Sequence, residues 1–404
     1  MTSQRQPSLS DFEAEACKFL AAYTMREQGD AAFCWGVGDD RVALFDETAQ
    51  ETEFEHVQKI REWRRSLAQA GLSWITGPTE YGGRGLPVSY QRLFDSLSRR
   101  YDVPDSAKLT VSLGMVAPTL LAHGTETARR HYLAAIHSGK VIGCQLFSEP
   151  GAGSDLAGIS TRATRVGDTW IISGQKVWTS GAHLADIGLL LCKSANGPRH
   201  HNLTAFLLDM HSPGVQVRPL RQMTGGTTFN EVFIDDAEVK DEFRLGDVNE
   251  GWQVARTTLM HERANIGGAG MGGSRLLDSR RLIAMVRERG LASDDVTRDA
   301  LARLLVGLRS AQASRYRTES KVRSGAVPGP EMSLAKLALV RNLLAMSEFV
   351  AGVLGPGLVV DTGEWGTYSW SKFVLGVPGY RLGGGTDEIL RSIVAERVLG
   401  LPRD

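Results

Sequence analysis

The spacing of apolar residues changes twice along the chain, and those two changes constrain the fold more than any single motif. In "TEFEHVQKIREWRRSLAQAGL" the residues Phe54, Val57, Ile60, Trp63 and Leu67 recur every three or four positions, which predicts an amphipathic helix. From about Val141 the pattern becomes short β-prone segments, "DTWIISGQKVWTSG", "DIGLLLCKS", "LTAFLLDM", "VQVRPL" and "EVFIDD", separated by Gly, Asn, Pro and Asp. After Gly251 helical spacing returns in "WQVARTTLMHERANIG", "SRLLDSRRLIAMVRERG", "VTRDALARLLVGLRSAQASRYRTESKV" and "EMSLAKLALVRNLLAMSEFVAGVLG". Helices, then β, then helices lacks the βαβ alternation of a doubly wound sheet. It predicts an α+β chain with a helical domain over 1–140, a β domain over 141–246 and a four-helix-bundle-like domain over 247–404.

Composition narrows the function classes. A chain of 404 residues that is 42% hydrophobic can bury a sizeable core. Lys plus Arg and Asp plus Glu both number 46, so no net charge draws the chain toward nucleic acid or an anionic membrane. Cys17, Cys34, Cys144 and Cys192 are far apart without C-x-x-C spacing, which fits reduced thiols in a cytoplasm and argues against a disulfide framework or a zinc site. The first twenty residues contain no long apolar stretch, and the expectation is no signal peptide and no membrane-spanning helix. Gly268, Gly270 and Gly273 satisfy G-x-G-x-x-G, but they sit inside a helical run without a preceding strand. They read as small residues for close helix packing, not as a dinucleotide site.

Chemistry concentrates in residues 144–194, "CQLFSEPGAGSDLAGISTRATRVGDTWIISGQKVWTSGAHLADIGLLLCKS". This segment resembles the acyl-CoA dehydrogenase family, whose S/T-E-P-x-A-G-S-D run and G-x-K-x-W-x-T/S hairpin stand here at Ser148–Asp155 and Gly174–Ser180. Further matches are "PTEYGGRG", "FNEVFIDDAEV", "NEGWQVARTTLMHER" and "GGTDEILRSIVAERVLG"; only about the first fifty residues carry no signature. An isoalloxazine has a flat apolar face and a polar rim, so it needs aromatic packing with hydroxyl and backbone donors at its edge. The resemblance implies FAD as cofactor, held by Gln145, Phe147, Ser148, Trp178, Thr179 and Ser180 and by the loop residues Thr386, Asp387 and Glu388. Trp178 packs on the ring in that picture, and Ser180 bonds near N5, the hydride acceptor. Ser154 and Arg263 are implied to border the substrate. The implied reaction is α,β-desaturation of an acyl-CoA or other acyl thioester, with an electron-transfer flavoprotein or similar acceptor and a homo- or hetero-oligomer as partners.

Two departures from the family pattern matter. Many members carry their catalytic glutamate immediately before the Gly-Thr of the C-terminal loop, where this chain has Gly384 in "RLGGGTDEILRS". Isovaleryl-CoA and long-chain acyl-CoA dehydrogenases place the base on a helix before an arginine, and this chain has that pair as Glu262 and Arg263. The resemblance therefore implies Glu262 as α-proton base, with the Gly384 N–H still present as a donor to the thioester carbonyl. The emptier site suggests bulky or branched acyl groups. Secondly, the family's Q-x-x-G-G-x-G contact with a neighbouring subunit's FAD is altered, with Gly352 replacing the glutamine and Pro356 a glycine. That pattern is similar to actinobacterial members built from unlike subunits. A non-catalytic half-site subunit, a flavin oxidase or monooxygenase, and an acyl-carrier-protein substrate stand as alternatives.

Overall fold

The computed structural model describes residues 6–24, 33–45, 50–267, 279–323, 329–330 and 332–402. The glycines of the G-x-G-x-x-G pattern, Gly268, Gly270 and Gly273, lie outside them. The chain divides into two compact units, one of Met1–Ala32, Thr48–Leu220 and Phe229–Thr258, the other of Phe33–Glu47, Arg221–Thr228 and Leu259–Asp404.

The first unit opens with α1 (Leu9–Tyr23), α2 (Gln50–Gln69), α3 (Val88–Ser98), α4 (Ala117–His123) and α5 (Glu126–His137). Hydroxyl caps start two of these: Ser8 Oγ accepts from Asp11 N and Thr125 Oγ1 from Ala128 N, each at 3.1 Å, satisfying amides the helix cannot pair itself. On α2 the expected stripe of Val57, Ile60, Trp63 and Leu67 is buried. Phe54 is the exception at 58% exposed, and its neighbour Glu53 turns inward instead, at 7%. The physical reason is a pair of cationic or N–H partners: Lys108 Nζ and His183 Nε2 meet the two Glu53 carboxylate oxygens at 2.6 and 2.9 Å.

Eight strands follow in the same unit: β1 (Gly143–Leu146), β2 (Arg162–Val166), β3 (Thr169–Ser180), β4 (Ile187–Lys193), β5 (Leu203–Asp209), β6 (Val215–Leu220), β7 (Phe229–Lys240) and β8 (Arg244–Leu245). They form one sheet in the order β6-β7-β3-β2-β4-β5-β8, with β1 added in parallel on β4. β4 is buried almost end to end, which is why "DIGLLLCKS" reads as a continuous apolar run and not an alternation. Trp170, Ile172, Leu190, Phe206, Leu208, Val232 and Ile234 belong to the core of this domain.

In the second unit, α6 (Gly251–Gly267) continues from the first, followed by α7 (Ser279–Glu288), α8 (Asp295–Arg323), α9 (Met332–Leu354), α10 (Ser371–Leu382) and α11 (Asp387–Arg397). The stretch Ser333–Leu358, 26 residues long with a mean hydropathy of 1.6 over its most apolar 18-residue window, is long and apolar enough to cross a membrane by length and composition alone. Its Leu343, Met346 and Val350 instead join Leu282, Met285, Trp370 and Phe373 in a protein core. A helix that also buries Lys336 and Asn342 is accounted for by that packing.

Candidate active site

In the first unit, the motif residues are held by a buried ion pair. Lys176 projects inward from β3 with its side chain fully buried, and its Nζ donates to Glu149 Oε1 at 2.8 Å, Leu191 O at 2.7 Å and Phe147 O at 3.1 Å. Glu149 is completed by Ser160 N and Oγ on Oε2, at 2.6 and 2.7 Å, and by Thr161 N on Oε1 at 3.0 Å. Burial disfavours both charges, raising the carboxyl and lowering the ammonium, but the Lys176 charge and these hydrogen bonds win at Glu149 and bring its pKa to about 2. All three ammonium protons and both carboxylate oxygens are used, the condition under which a buried pair is tolerated. The consequence for the site is geometric: the loop bearing Phe147 and Ser148 is clamped to β3, with Val177 N donating to Ser148 O at 2.9 Å.

One step further along β3 the ladder slips against β7 between Lys176 and Thr179. Trp178 lies at this bulge with φ of +60°, a left-handed conformation costly for a bulky residue and a common device for re-aiming a side chain. Its indole is 62% exposed, edge-on to Phe229 with centroids 6.2 Å apart. Phe147 and Thr179 are buried, while Gln145, Ser148 and Ser180 are half-buried. Ser154 is exposed, on a loop where Arg199 pairs with Asp155.

The second unit holds the other predicted residues. Glu262 and Arg263 are half-buried on α6. Burial lowers the Arg263 pKa, with the Glu262 charge opposing and Arg397 adding to the fall. Gly384 and Gly385, between α10 and α11, have φ of +70° and +95°, so the glycine run is a left-handed connection that side chains resist. Thr386 caps α11, its Oγ1 accepting from Ile389 N at 3.3 Å, and Glu388 is exposed in the first turn. Asp387 is buried; Arg381 Nε bonds its Oδ2 at 3.0 Å, while its buried Oδ1 has no hydrogen-bond partner among the described residues.

Lys336, on α9, was not singled out from sequence. It is fully buried and donates to the Gly385 carbonyl. Burial lowers its pKa, opposed by the charges of Asp387 and Glu262. A lone cation in the apolar run "MSLAKLALV" was the available signal, as was the lysine of "GQKVW" for the Glu149 pair. Thus Phe147, Ser148, Trp178, Thr179 and Ser180 belong to the first unit, and in the second Lys336, which bonds the Gly385 carbonyl, feels the charges of both Glu262 and Asp387.

The first-unit residues fit a flavin: an exposed Trp178 beside the partly exposed hydroxyls of Ser148 and Ser180 suits a flat ring with a polar rim. In the second unit, taken by itself, the unpartnered Asp387 oxygen at a helix N-terminus is a polar group available to a ligand. When bound, FAD supplies the hydride acceptor of the reaction.

Comparison with known proteins agrees. Family models described as acyl-CoA dehydrogenase N-terminal, middle and C-terminal domains match residues 39–140, 144–237 and 249–399. The chain is 37% identical over 358 residues to acyl-CoA dehydrogenase IpdE1 of Mycobacterium tuberculosis, covering 87% of this chain and 90% of that one. It is 33% identical to IpdE1 of Mycolicibacterium smegmatis, covering 98% of each. Among solved structures, the steroid ACAD Tcur3481-Tcur3483 superposes with a TM-score of 0.75 at 26% identity, covering 99% of both chains. The chain belongs to the acyl-CoA dehydrogenase family of FAD-dependent oxidoreductases.

Proposed function

We propose that the chain desaturates a bulky or branched acyl thioester between Cα and Cβ, with Glu262 taking the α-proton and the Gly384 N–H donating to the thioester carbonyl. The observation that carries this reading is the electrostatic linkage of Glu262 to Lys336, the residue that also bonds the glycine loop at Gly385. A thioester α-proton is too weakly acidic for an unaided carboxylate, so the carbonyl must be polarised by fixed donors while the base is kept dry. A loop without side chains at residues 383–385 suits a wide acyl group, and the likeness to a steroid ACAD supports the same class. Phe147, Ser148, Trp178 and Ser180 are assigned to the flavin, with Gln145, Thr179, Thr386, Asp387 and Glu388 supporting it, and Ser154 and Arg263 to the substrate. The domain limits are placed at 1–140, 141–246 and 247–404.

An unlike partner subunit is part of the proposal. Gly352 and Pro356 depart from the family's subunit-contact pattern, and Tcur3481-Tcur3483 is named for two components. The electron acceptor in this reading is an electron-transfer flavoprotein or similar acceptor, and the free thiols support a cytoplasmic setting. The test is anaerobic flavin bleaching by a panel of acyl-CoAs with wild type and Glu262→Gln. Bleaching by bulky acyl-CoAs in wild type, slowed in the variant, supports the assignment; equal rates refute Glu262 as base.

A further inference from the structure

We propose that His183 and Asn230 are positioning residues that hold the Trp178–Ser180 edge in place, His183 acting as a neutral imidazole protonated only at Nε2. The proposal rests on the reading of Trp178 and Ser180 as the flavin edge. It concerns residues to which neither the motifs nor the reaction assigns a role.

The starting point is the Thr179 carbonyl, which lies where β3 slips against β7. Asn230, directly opposite on β7 and fully buried, donates its Nδ2 to this carbonyl at 3.0 Å. A peptide unit is planar, so fixing the Thr179 oxygen fixes the plane that continues into Ser180. The hydroxyl assigned to the flavin rim therefore hangs from backbone that Asn230 secures.

A carbonyl can only accept, which settles the rest of the chain of bonds. Asn230 must present its nitrogen to Thr179, and the same nitrogen lies 3.1 Å from His183 Nδ1. Its second N–H then points at Nδ1, which must be an acceptor without a proton. The imidazole proton is consequently on Nε2, where Glu53 Oε2 receives it at 2.9 Å. Lys108 Nζ occupies the other Glu53 oxygen at 2.6 Å and supplies the positive charge, so the ring need not. Hydrogen bonds from His183 and Lys108 overcome the upward push of burial and hold the Glu53 pKa at about 2.

The amide is oriented for its donor end. Both Asn230 N–H groups are used, whereas the buried Oδ1 has no partner among the described residues. Protonation of His183 at Nδ1 would demand the opposite orientation and set Oδ1 against the Thr179 oxygen. The relay joins α2, the turn Ala107–Leu109, the turn Ala182–Leu184 and β7, so helices contribute to the conformation of a strand bulge within one unit.

The experiment compares His183→Leu, Asn230→Asp and His183→Gln in the FAD-loaded enzyme, with its partner subunit where one is needed. His183→Leu and Asn230→Asp should displace the visible flavin bands and slow flavin reduction about tenfold or more while substrate KM stays within about twofold, the signature of a misplaced but complete site. His183→Gln, whose amide can donate toward Glu53 and accept from Asn230, should recover most of the spectrum. Wild-type bands and reduction rate in folded His183→Leu would overturn the proposal, as would a glutamine variant as impaired as the leucine one. Should the variants not fold, long-range proton–nitrogen NMR of histidine-labelled wild type decides: a bare Nδ1 supports the relay and a protonated Nδ1 refutes it. Absence of FAD uptake by wild type would refute the flavin reading, and the tautomer measurement would still decide the relay.

Discussion

The ammonium group of Lys336 donates to the carbonyl oxygen of Gly385, so a buried charge on α9 holds the left-handed glycine connection between α10 and α11. Lys336→Met keeps length and apolar packing but removes that bond and the positive charge felt by Asp387 and Glu262. Losing one member of a buried charged group costs about 3–5 kcal/mol when the remaining charge is uncompensated; here Arg381 still bonds Asp387, so the lower end is expected. Thermal unfolding should show this destabilisation. Flavin reduction should slow more than substrate KM rises, because the bond positions the loop rather than the substrate.

Lys176→Met tests the clamp in the first unit. The variant strands Glu149 in a buried position with only neutral donors from Ser160 and Thr161 and frees the Phe147 carbonyl. A loss of about 3–5 kcal/mol is expected from denaturant titration. The double variant Lys176→Met, Glu149→Gln, which removes both charges, should regain part of it.

Acid should reveal the same pair together with Glu53. Both carboxyls sit at about 2 in the folded chain, below the roughly 4.3 of an unfolded glutamate. A depressed pKa stabilises the fold above the unfolded value, and this contribution is lost as pH falls from about 4.3 through about 2. Stability measured by denaturant at stepped pH should decline across that window in wild type. The decline should be shallower in Glu53→Gln once its lower starting stability is subtracted.

The helices and strands were legible because their apolar spacing is local, and the motif residues because their order is distinctive. The inward turn of Glu53 in place of Phe54 was not. Adjacent helical positions differ by less than a third of a turn, and the choice is made by Lys108 and His183, 55 and 130 residues away. The bulge at Trp178 likewise depends on register with β7, which β3 alone does not encode. Lys336 and Lys176 were visible as charges in apolar runs, but their partners, Gly385 and Glu149, are supplied by distant chain.

Ser180→Ala removes one hydroxyl from the proposed flavin rim without touching the Asn230 bond to Thr179. The fold should be retained. A rim donor in a dry site contributes on the order of 1 kcal/mol or more, so stopped-flow flavin reduction should slow by at least about fivefold. An unchanged rate would remove Ser180 from the rim.

The final prediction concerns the division of labour between Glu262 and Gly384. Glu262→Gln preserves size and hydrogen bonding but cannot accept a proton, so flavin reduction should fall by at least about a hundredfold with acyl-CoA binding retained. Adding Gly384→Glu places a carboxylate at the loop position that the family resemblance implies for an alternative base, at a backbone φ of +70° that costs a side chain about 1–2 kcal/mol. That cost, and the space the new side chain fills, predict a less stable enzyme that regains activity only toward slim, straight-chain acyl-CoAs. Recovery toward bulky acyl-CoAs in the double variant would show that the glycine is not what admits them. Full activity of Glu262→Gln alone would place the base outside α6.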